Sequence, residues 1–555
     1  MSESTKKSGL GCLPLAGIAA AVLAGGAAAG YFFFLRGAPT GEAGPMASAE
    51  VVPESALMAA YISTDSASWS QLEKFGTPEA QAAVKQGIEN FEQDLQTETN
   101  LNYETDLKPW IGDVMLAFLP PAAAEEAAEA TVESEPLVVV GIKDKVKALA
   151  FSQKMKEEGG ESVSEIDYQG VTISEIAQPN RTIYTAVLED YVAIAFNLET
   201  LQQAIDTSKG QPSFASQPGA AQMLREGVDV ENALARFYVI DYPAFMAQLL
   251  QQSGSEALPA QSLEQLEQVE SLIVGLGSDA LGLRLKASVE VDPAAPQPEL
   301  SAASGEPIAQ FPADTIAFAN GQGLNQVWTQ LVEQSAEDPQ TKQVVDQVRQ
   351  SMSQVQLDPD RVFGWMDGEF ALGLIPSREG ILANVGFGGA FTIETSDRAA
   401  AEETLEQVGK VLQESIPVPV DISQKEVKGT QMTQWSVPQV VPGPIVGYGW
   451  LDDNSLLLAL GGPIADVMLP TPATPLDASE NFTSSTQALP QPNVGYFYTN
   501  FEQISTLLGT LPPEATGMTP QAQAILDSIR SLGATATVED STSTLEMTLP
   551  LVSNQ

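Results

Sequence analysis

Trp110-Ile-Gly-Asp-Val-Met-Leu-Ala-Phe-Leu-Pro120 returns, about 255 positions later, as Trp365-Met-Asp-Gly-Glu-Phe-Ala-Leu-Gly-Leu-Ile-Pro376. Both stretches open on a tryptophan, step through small and acidic residues, and run apolar until a proline removes the backbone donor a ladder needs. Upstream, each copy places a proline-capped helix start, Thr77-Pro78 in one and Asp338-Pro339 in the other. An acceptor side chain followed by proline suits the first turn of a helix. Further upstream, Pro53 precedes Trp69-Ser-Gln71-Leu72 by the same spacing as Pro312 precedes Trp328-Thr-Gln330-Leu331.

The correspondence continues downstream. The strand-like Leu137 to Gly141 and the helical spacing of Asp144 to Glu158 match Gly389 to Ile393 and Ser396 to Glu414. Short runs then flank Gly170 and Gly429. Tyr191 to Phe196 pairs with Ser455 to Leu460, and Phe237 to Asp241 with Tyr496 to Asn500. Each copy closes with an amphipathic helix and two strands, Leu263 to Leu276 then Leu281 to Val291 in the first, and Ala522 to Leu532 then Ala534 to Leu549 in the second. A repeat of this length means a duplicated unit rather than a solenoid. Strands bounded by turns, with helices between, predict an α+β fold: two tandem, mainly antiparallel sheet domains with helices on one face. The expected boundaries are 52–291 and 307–555, with 292–306, rich in Pro, Ala and Ser, as linker. The acidic Ala122 to Glu135 and the proline-rich Pro470 to Pro475 read as connections.

The N-terminus reads differently. Leu10 to Leu35 holds no charged side chain and is flanked by Lys6 and Lys7 before and Arg36 after. That length suffices for one transmembrane helix over 10–35. The lysines keep residues 1–9 in the cytoplasm and place the body outside. Ala27-Ala28-Ala29 offers a signal-peptide cleavage site, but the apolar run continues through Tyr31 to Leu35, which favours an uncleaved anchor. Gly26 and Gly30 have the spacing of a helix-packing motif, here within an Ala-rich background. Residues 36–51 read as a tether.

Composition narrows the chemistry. Among 555 residues there are 26 Lys and Arg against 72 Asp and Glu, a net charge of −46. Such a surface repels phosphate backbones, so no nucleic-acid partner is expected. No histidine occurs and Cys12 is the only cysteine, which removes imidazole bases, thiolate metal sites and intrachain disulfides. No cofactor or metal site is expected. Gly275-x-Gly277-x-x-Ala280 has dinucleotide-like spacing, but a predicted helix precedes it and a strand follows, the reverse of the order phosphate binding needs. Turn glycines are the better reading. Glu189-Asp190 and Asp452-Asp453 fall where hairpin turns are expected and read as turn residues.

At these residues the chain resembles a family of bacterial domains of unknown function, with cyanobacterial and actinobacterial members anchored by one N-terminal helix. The resemblance rests on the apolar N-terminal segment, the Pro53 to Leu72 opening, Thr77-Pro78-Glu79, and Leu107-Lys108-Pro109-Trp110-Ile111-Gly112. It implies location and architecture, and brings no catalytic or ligand residues.

Trp69, Trp110, Trp328 and Trp365 recur at matching positions and are expected to anchor cores. Trp435 and Trp450 lack counterparts in the first copy, which makes them the candidate ligand or partner contacts. The functional expectation is a membrane-anchored, extracytoplasmic, non-enzymatic protein with a structural or protein-binding role in the cell envelope. The alternatives are a carrier or sensor of a lipid or other apolar molecule and, more distantly, a carboxylate-based hydrolase.

Overall fold

The computed structural model describes residues 44–99, 102–120, 135–159, 163–177, 182–252, 268–293, 301–336, 339–354, 356–415, 418–439, 443–510 and 517–554. The first half carries β1 (Met58–Ile62), β2 (Ile111–Leu119), β3 (Glu135–Ile142), β4 (Val163–Tyr168), β5 (Val171–Ala177), β6 (Thr182–Leu188), β7 (Tyr191–Ala195), β8 (Ala235–Val239), β9 (Val269–Ser278) and β10 (Gly282–Val291). The second carries β11 (Ala317–Gln322), β12 (Glu369–Pro376), β13 (Phe387–Glu394), β14 (Asp421–Val427), β15 (Thr430–Ser436), β16 (Pro444–Trp450), β17 (Ser455–Leu460), β18 (Tyr496–Asn500), β19 (Ser531–Glu539) and β20 (Thr542–Pro550).

In the first half the ladders run β4-β5-β6-β7-β3-β2-β1-β8-β9-β10, each antiparallel. The second half uses the same order, β14-β15-β16-β17-β13-β12-β11-β18-β19-β20. All twenty strands belong to one sheet. This corrects the expected fold class of two tandem sheet domains with helices on one face behind a transmembrane helix. Strand periodicity reports each strand's faces and says nothing of which edges join, so one sheet and two read alike in sequence. By contact density the chain divides into two compact units, and residues of the C-terminal hairpin are shared between them: Glu539–Thr544 cluster with the first unit and Leu545–Val552 with the second. Segment 10–35, expected to cross a membrane, lies outside the described residues together with Gly26 and Gly30. Among the described residues no helix is long and apolar enough to span a bilayer.

The helices cover both faces. In β2, Met115, Ala117 and Leu119 point into one core with Leu201 and Leu224 from the helices Leu198–Ser208 and Ala220–Glu226. Val114 of the same strand points the other way, into a core with Trp69, Trp110 and Val140, where Ala148 and Phe151 of helix Lys145–Gly159 also pack. The second half repeats the division. Ala371 and Ile375 pack with Tyr498 on one side, while Ile393 and Leu456 pack with Trp365, Ala401 and Leu405 on the other. Leu137-Val-Val-Val-Gly141 is apolar at every position, the pattern of a strand buried on both faces, where the sequence reading expects helices on one.

Two local details position the rest. Tyr168 pairs with Val171 and Val427 with Thr430, leaving the two-residue loops Gln169-Gly170 and Lys428-Gly429. All four residues have positive φ, from 46° to 90°, the type I′ geometry that matches strand twist and suits glycine at its second position. The stretch ending at Leu276, expected as helix, is strand from Val269 onward, and its preceding residues 253–267 lie outside the described set. Gly275 and Gly277 are therefore interior to β9 and not turn residues. A Cβ on Gly277 would sit 2.2 Å from the Glu231 carbonyl oxygen, so the glycine is there for close backbone approach.

Candidate functional site

The second half holds an open cleft of about 600 Å³ between helix Pro359–Gly364 and the start of helix Arg398–Ser415. Its acidic lining comes from Asp358, Asp360, Asp367, Asp397 and Glu403, with Arg361 as the basic side chain. Each aspartate has a local task. Asp358 caps its helix by accepting from the Asp360 amide at 3.1 Å, with Pro359 at the first helical position. Asp360 accepts from Trp328 Nε1 at 2.7 Å and from Arg349 at 3.4 Å. Asp367 accepts from the Ser396 amide at 2.9 Å and from its hydroxyl. Asp397 accepts from the Ala400 amide at 3.0 Å and so caps the next helix. Arg361 and Glu403 form an exposed ion pair at 3.5 Å. Trp365 closes the inner wall at 4% exposure, and its Nε1 has no hydrogen-bond partner among the described residues.

Beside the cleft lies a buried carboxylate. Glu369, 1% exposed, accepts from the Ser304 amide at 2.8 Å, the Ser304 hydroxyl at 2.5 Å, the Gly305 amide at 2.9 Å and Asn320 Nδ2 at 2.9 Å. Four donors satisfy a buried anion without a cation. Burial, and then the charge of Glu369, raises the neighbouring Glu394 above the ordinary carboxylate range. Asp113 holds the matching role in the first half, accepting from Tyr61 Oη and from the Thr64 amide at 2.8 Å.

At the position corresponding to the cleft, the first half is built from lysines. Lys108 pairs with Glu104 at 2.9 Å and Lys154 with Asp106 at 2.7 Å. Burial opposes ionisation of Asp106, but the bond and charge of Lys154, with the Asn102 amide and Thr105, together hold the carboxyl below its ordinary value. Lys143 has no ion-pair partner among the described residues. Burial, followed by the charges of Lys108 and Lys147, brings its pKa down to about 8. Sequence reading missed this cluster because the net charge averages it away. Five of the 26 basic residues lie within positions 143–156, and charge patterning by segment would have shown them.

Of the two singled-out tryptophans, Trp435 is 5% exposed, meets Tyr448 edge-on with centroids 5.6 Å apart, and lies beneath Gly409 of helix Arg398–Ser415. Trp450 is half-buried and carries Arg398 over its ring at 4.3 Å, a cation–π contact. Neither lines the cleft, and both hold that helix to the sheet. Trp69, Trp110, Trp328 and Trp365 are all buried. Among the described residues no group of three His, Cys, Asp or Glu side chains is arranged to hold a metal ion.

Residues 16–551 match the family described as "Protein of unknown function (DUF3352)". The chain belongs to the DUF3352 family. Among curated proteins, none matches this DUF3352 chain. Of solved structures, crystal forms III and IV of TP0453 align at 12% and 11% identity. They cover 45% and 44% of this chain and 81% and 79% of theirs, each at a TM-score of 0.25. A score that low establishes no common fold, and this DUF3352 member is read from its own residues.

Proposed function

We propose that this chain is a non-enzymatic, extracytoplasmic protein of a bacterial envelope, attached to its membrane through the uncharged segment 10–35 and built to bind a protein partner. The observation that carries the binding reading is the state of the cleft carboxylates. Asp358, Asp360, Asp367 and Asp397 are fixed by hydrogen bonds from their own chain, as caps and turn locks. Proton transfer asks for a carboxylate poised by its surroundings near the working pH and facing a substrate. These four are committed to donors of their own chain instead. What remains is a rigid, acidic, polar concavity suited to a basic protein loop. An apolar ligand would need an apolar lining, and this one is mostly charged and polar.

The test is photo-crosslinking from Gln407, a cleft-lining position, in the producing cell, followed by a high-salt wash of the membranes. The expected result is a chain retained in the membrane fraction, degraded by protease added outside the inner membrane, and joined to one recurring protein. The adduct should weaken in the Glu403→Lys variant. Release by salt overturns the attachment, protection from protease overturns the side, and absence of a recurring adduct overturns the binding role.

A further inference from the structure

We infer that the outer face of helix Lys145–Gly159, with Lys143 beside it, docks on an anionic lipid surface. The inference rests on the membrane attachment proposed above and adds to it a second, charge-selective contact.

The helix has two unlike sides. Ala148 and Phe151 turn inward, and Phe151 stacks on Trp110 with centroids 5.2 Å apart. On the opposite side Val146 is 79% exposed and Leu149 61% exposed. Residues three apart on a helix share a face, so these two form one apolar ridge, extended by exposed Ala150 and Gln153. Lys145 and Lys147, both well exposed and paired with Asp190 and Asp144, flank the ridge on its two sides, and Lys154, paired with Asp106, lies along the second flank. An apolar ridge between lysines is the arrangement of a helix that lies in the headgroup layer, its apolar side chains down and its ammonium groups level with phosphate.

Charge complementarity selects the occupant. On a chain of net charge −46, five lysines between positions 143 and 156 are the one segment of that length with such an excess of positive charge. An anionic bilayer repels most of the surface and attracts this part, which gives it an orientation as well as an affinity. The crowding of Lys143 by Lys108 and Lys147 fits the same view, because an external anion relieves it.

Reach agrees. Ser48 and Ala49 are fully buried, Ala49 in the core of the same half. Nine steps from residue 35 to residue 44, at ~3.5 Å each, span about 30 Å when fully extended. A chain attached by segment 10–35 therefore keeps residue 44 within that distance of the headgroups, and the contact requires this half to turn its Trp110 side to the membrane.

The test uses the full chain as a Cys12→Ser, Leu149→Cys variant carrying an environment-sensitive dye. Vesicles are of phosphatidylcholine alone or mixed with phosphatidylglycerol. Flotation with both compositions reads the attachment, and a blue shift of the dye reads the docking. The expected result is flotation with both and a blue shift only with phosphatidylglycerol. A dye at Ile525→Cys, exposed elsewhere, should show no shift. Replacing Lys143, Lys145 and Lys147 by Gln should weaken the dye response at least tenfold in lipid concentration, and Arg at the same positions should restore it. Flotation without a shift, or a shift equal on both lipids, overturns the docking and leaves the attachment standing. A shift without flotation on neutral vesicles overturns the attachment and leaves the docking. A shift produced by an acidic protein added in place of lipid, with none on phosphatidylglycerol, would overturn the lipid docking and assign the face to a protein.

Discussion

Helix Lys145–Gly159 and helix Arg398–Ser415 hold the same place in their halves, each following the strand that pairs with β7 or β17. Both are capped by aspartate: Asp144 accepts from the Val146 and Lys147 amides, and Asp397 accepts from the Ala400 amide. Both cover a tryptophan, Trp110 or Trp365. Beyond those shared parts they diverge. The first presents lysines and an apolar ridge to solvent, whereas the second buries Ala401, Leu405 and Val411 and borders an acidic cleft. Strand order, cap and tryptophan specify the place of the helix. The outer surface is free of that duty, and there the two copies have gone opposite ways.

The sharpest way to break this comparison is beneath the helices. Trp110 Nε1 donates to the Asp106 carbonyl at 2.8 Å, while Trp365 Nε1 is buried without a partner. Truncating either to alanine is expected to destabilise its half by ~3–5 kcal/mol, read in urea denaturation. With phenylalanine the two should separate, Trp110→Phe being costlier by about 1 kcal/mol because a carbonyl loses its donor. Equal values would mean the Trp365 indole has a partner, and the contrast would fall.

Next in size is the buried carboxylate. Glu369→Ala leaves four donors without their acceptor and is expected to cost about 3 kcal/mol, more than Asp113→Ala, because the Asp113 carboxylate is less deeply buried than that of Glu369. Unfolding midpoints followed separately by tryptophan fluorescence and amide exchange would rank them. A smaller loss at Glu369 would show that its pocket relaxes or admits water.

The turns should not distinguish the halves at all. Gly170→Ala and Gly429→Ala each force a Cβ onto a positive-φ residue and are expected to cost about 1 kcal/mol. Unequal costs would show that the two hairpins are not the same device.

The smallest effect is electrostatic and belongs to the first half alone. Lys143 in the folded chain gives up its proton at about 8, whereas an unfolded lysine holds it to ~10.4. Between those values the unfolded state binds more protons, so stability rises with pH across that window and the penalty is fully present below it. Lys143→Gln should flatten this rise, with the slope measured by denaturation at a series of pH values. Partial exposure and salt keep it small.

Much of this was legible, for identifiable reasons. Tyr496–Asn500 and Ser455–Leu460 were bounded by turn residues and alternate or run apolar as strands do. Thr77-Pro78 marked a helix start, and Thr77 Oγ1 accepts from the Ala80 amide at 3.2 Å. The failures also have causes. The Val269–Ser278 strand is buried at eight consecutive positions, and an apolar run of that kind carries no periodicity to tell strand from helix. The continuous run in β3 signalled two covered faces, where one had been expected. Strand edges leave no local trace, which hid the single sheet. Asp358-Pro359-Asp360 has the composition of a turn yet opens a helix, because Asp358 caps and Pro359 begins it. The cleft needed Asp367 and Asp397 brought together across thirty residues, which no spacing rule reports. The lysine cluster failed to register for a different reason: it was averaged out, not hidden.

The pairing order also sets a timetable. β1 takes β2 as one neighbour, but its other neighbour is β8, which begins at Ala235. Until that strand has left the ribosome, or the exit of an export channel, the open side of Met58–Ile62 is a row of free amides and carbonyls able to pair with any passing strand. A chain stopped at Ser208 is therefore expected to aggregate, and one extended through Ser278 to stay dispersed, as sedimentation of the two would show. The same wait recurs between β11 and β18, so each half of the molecule has its own interval in which a strand edge lies open.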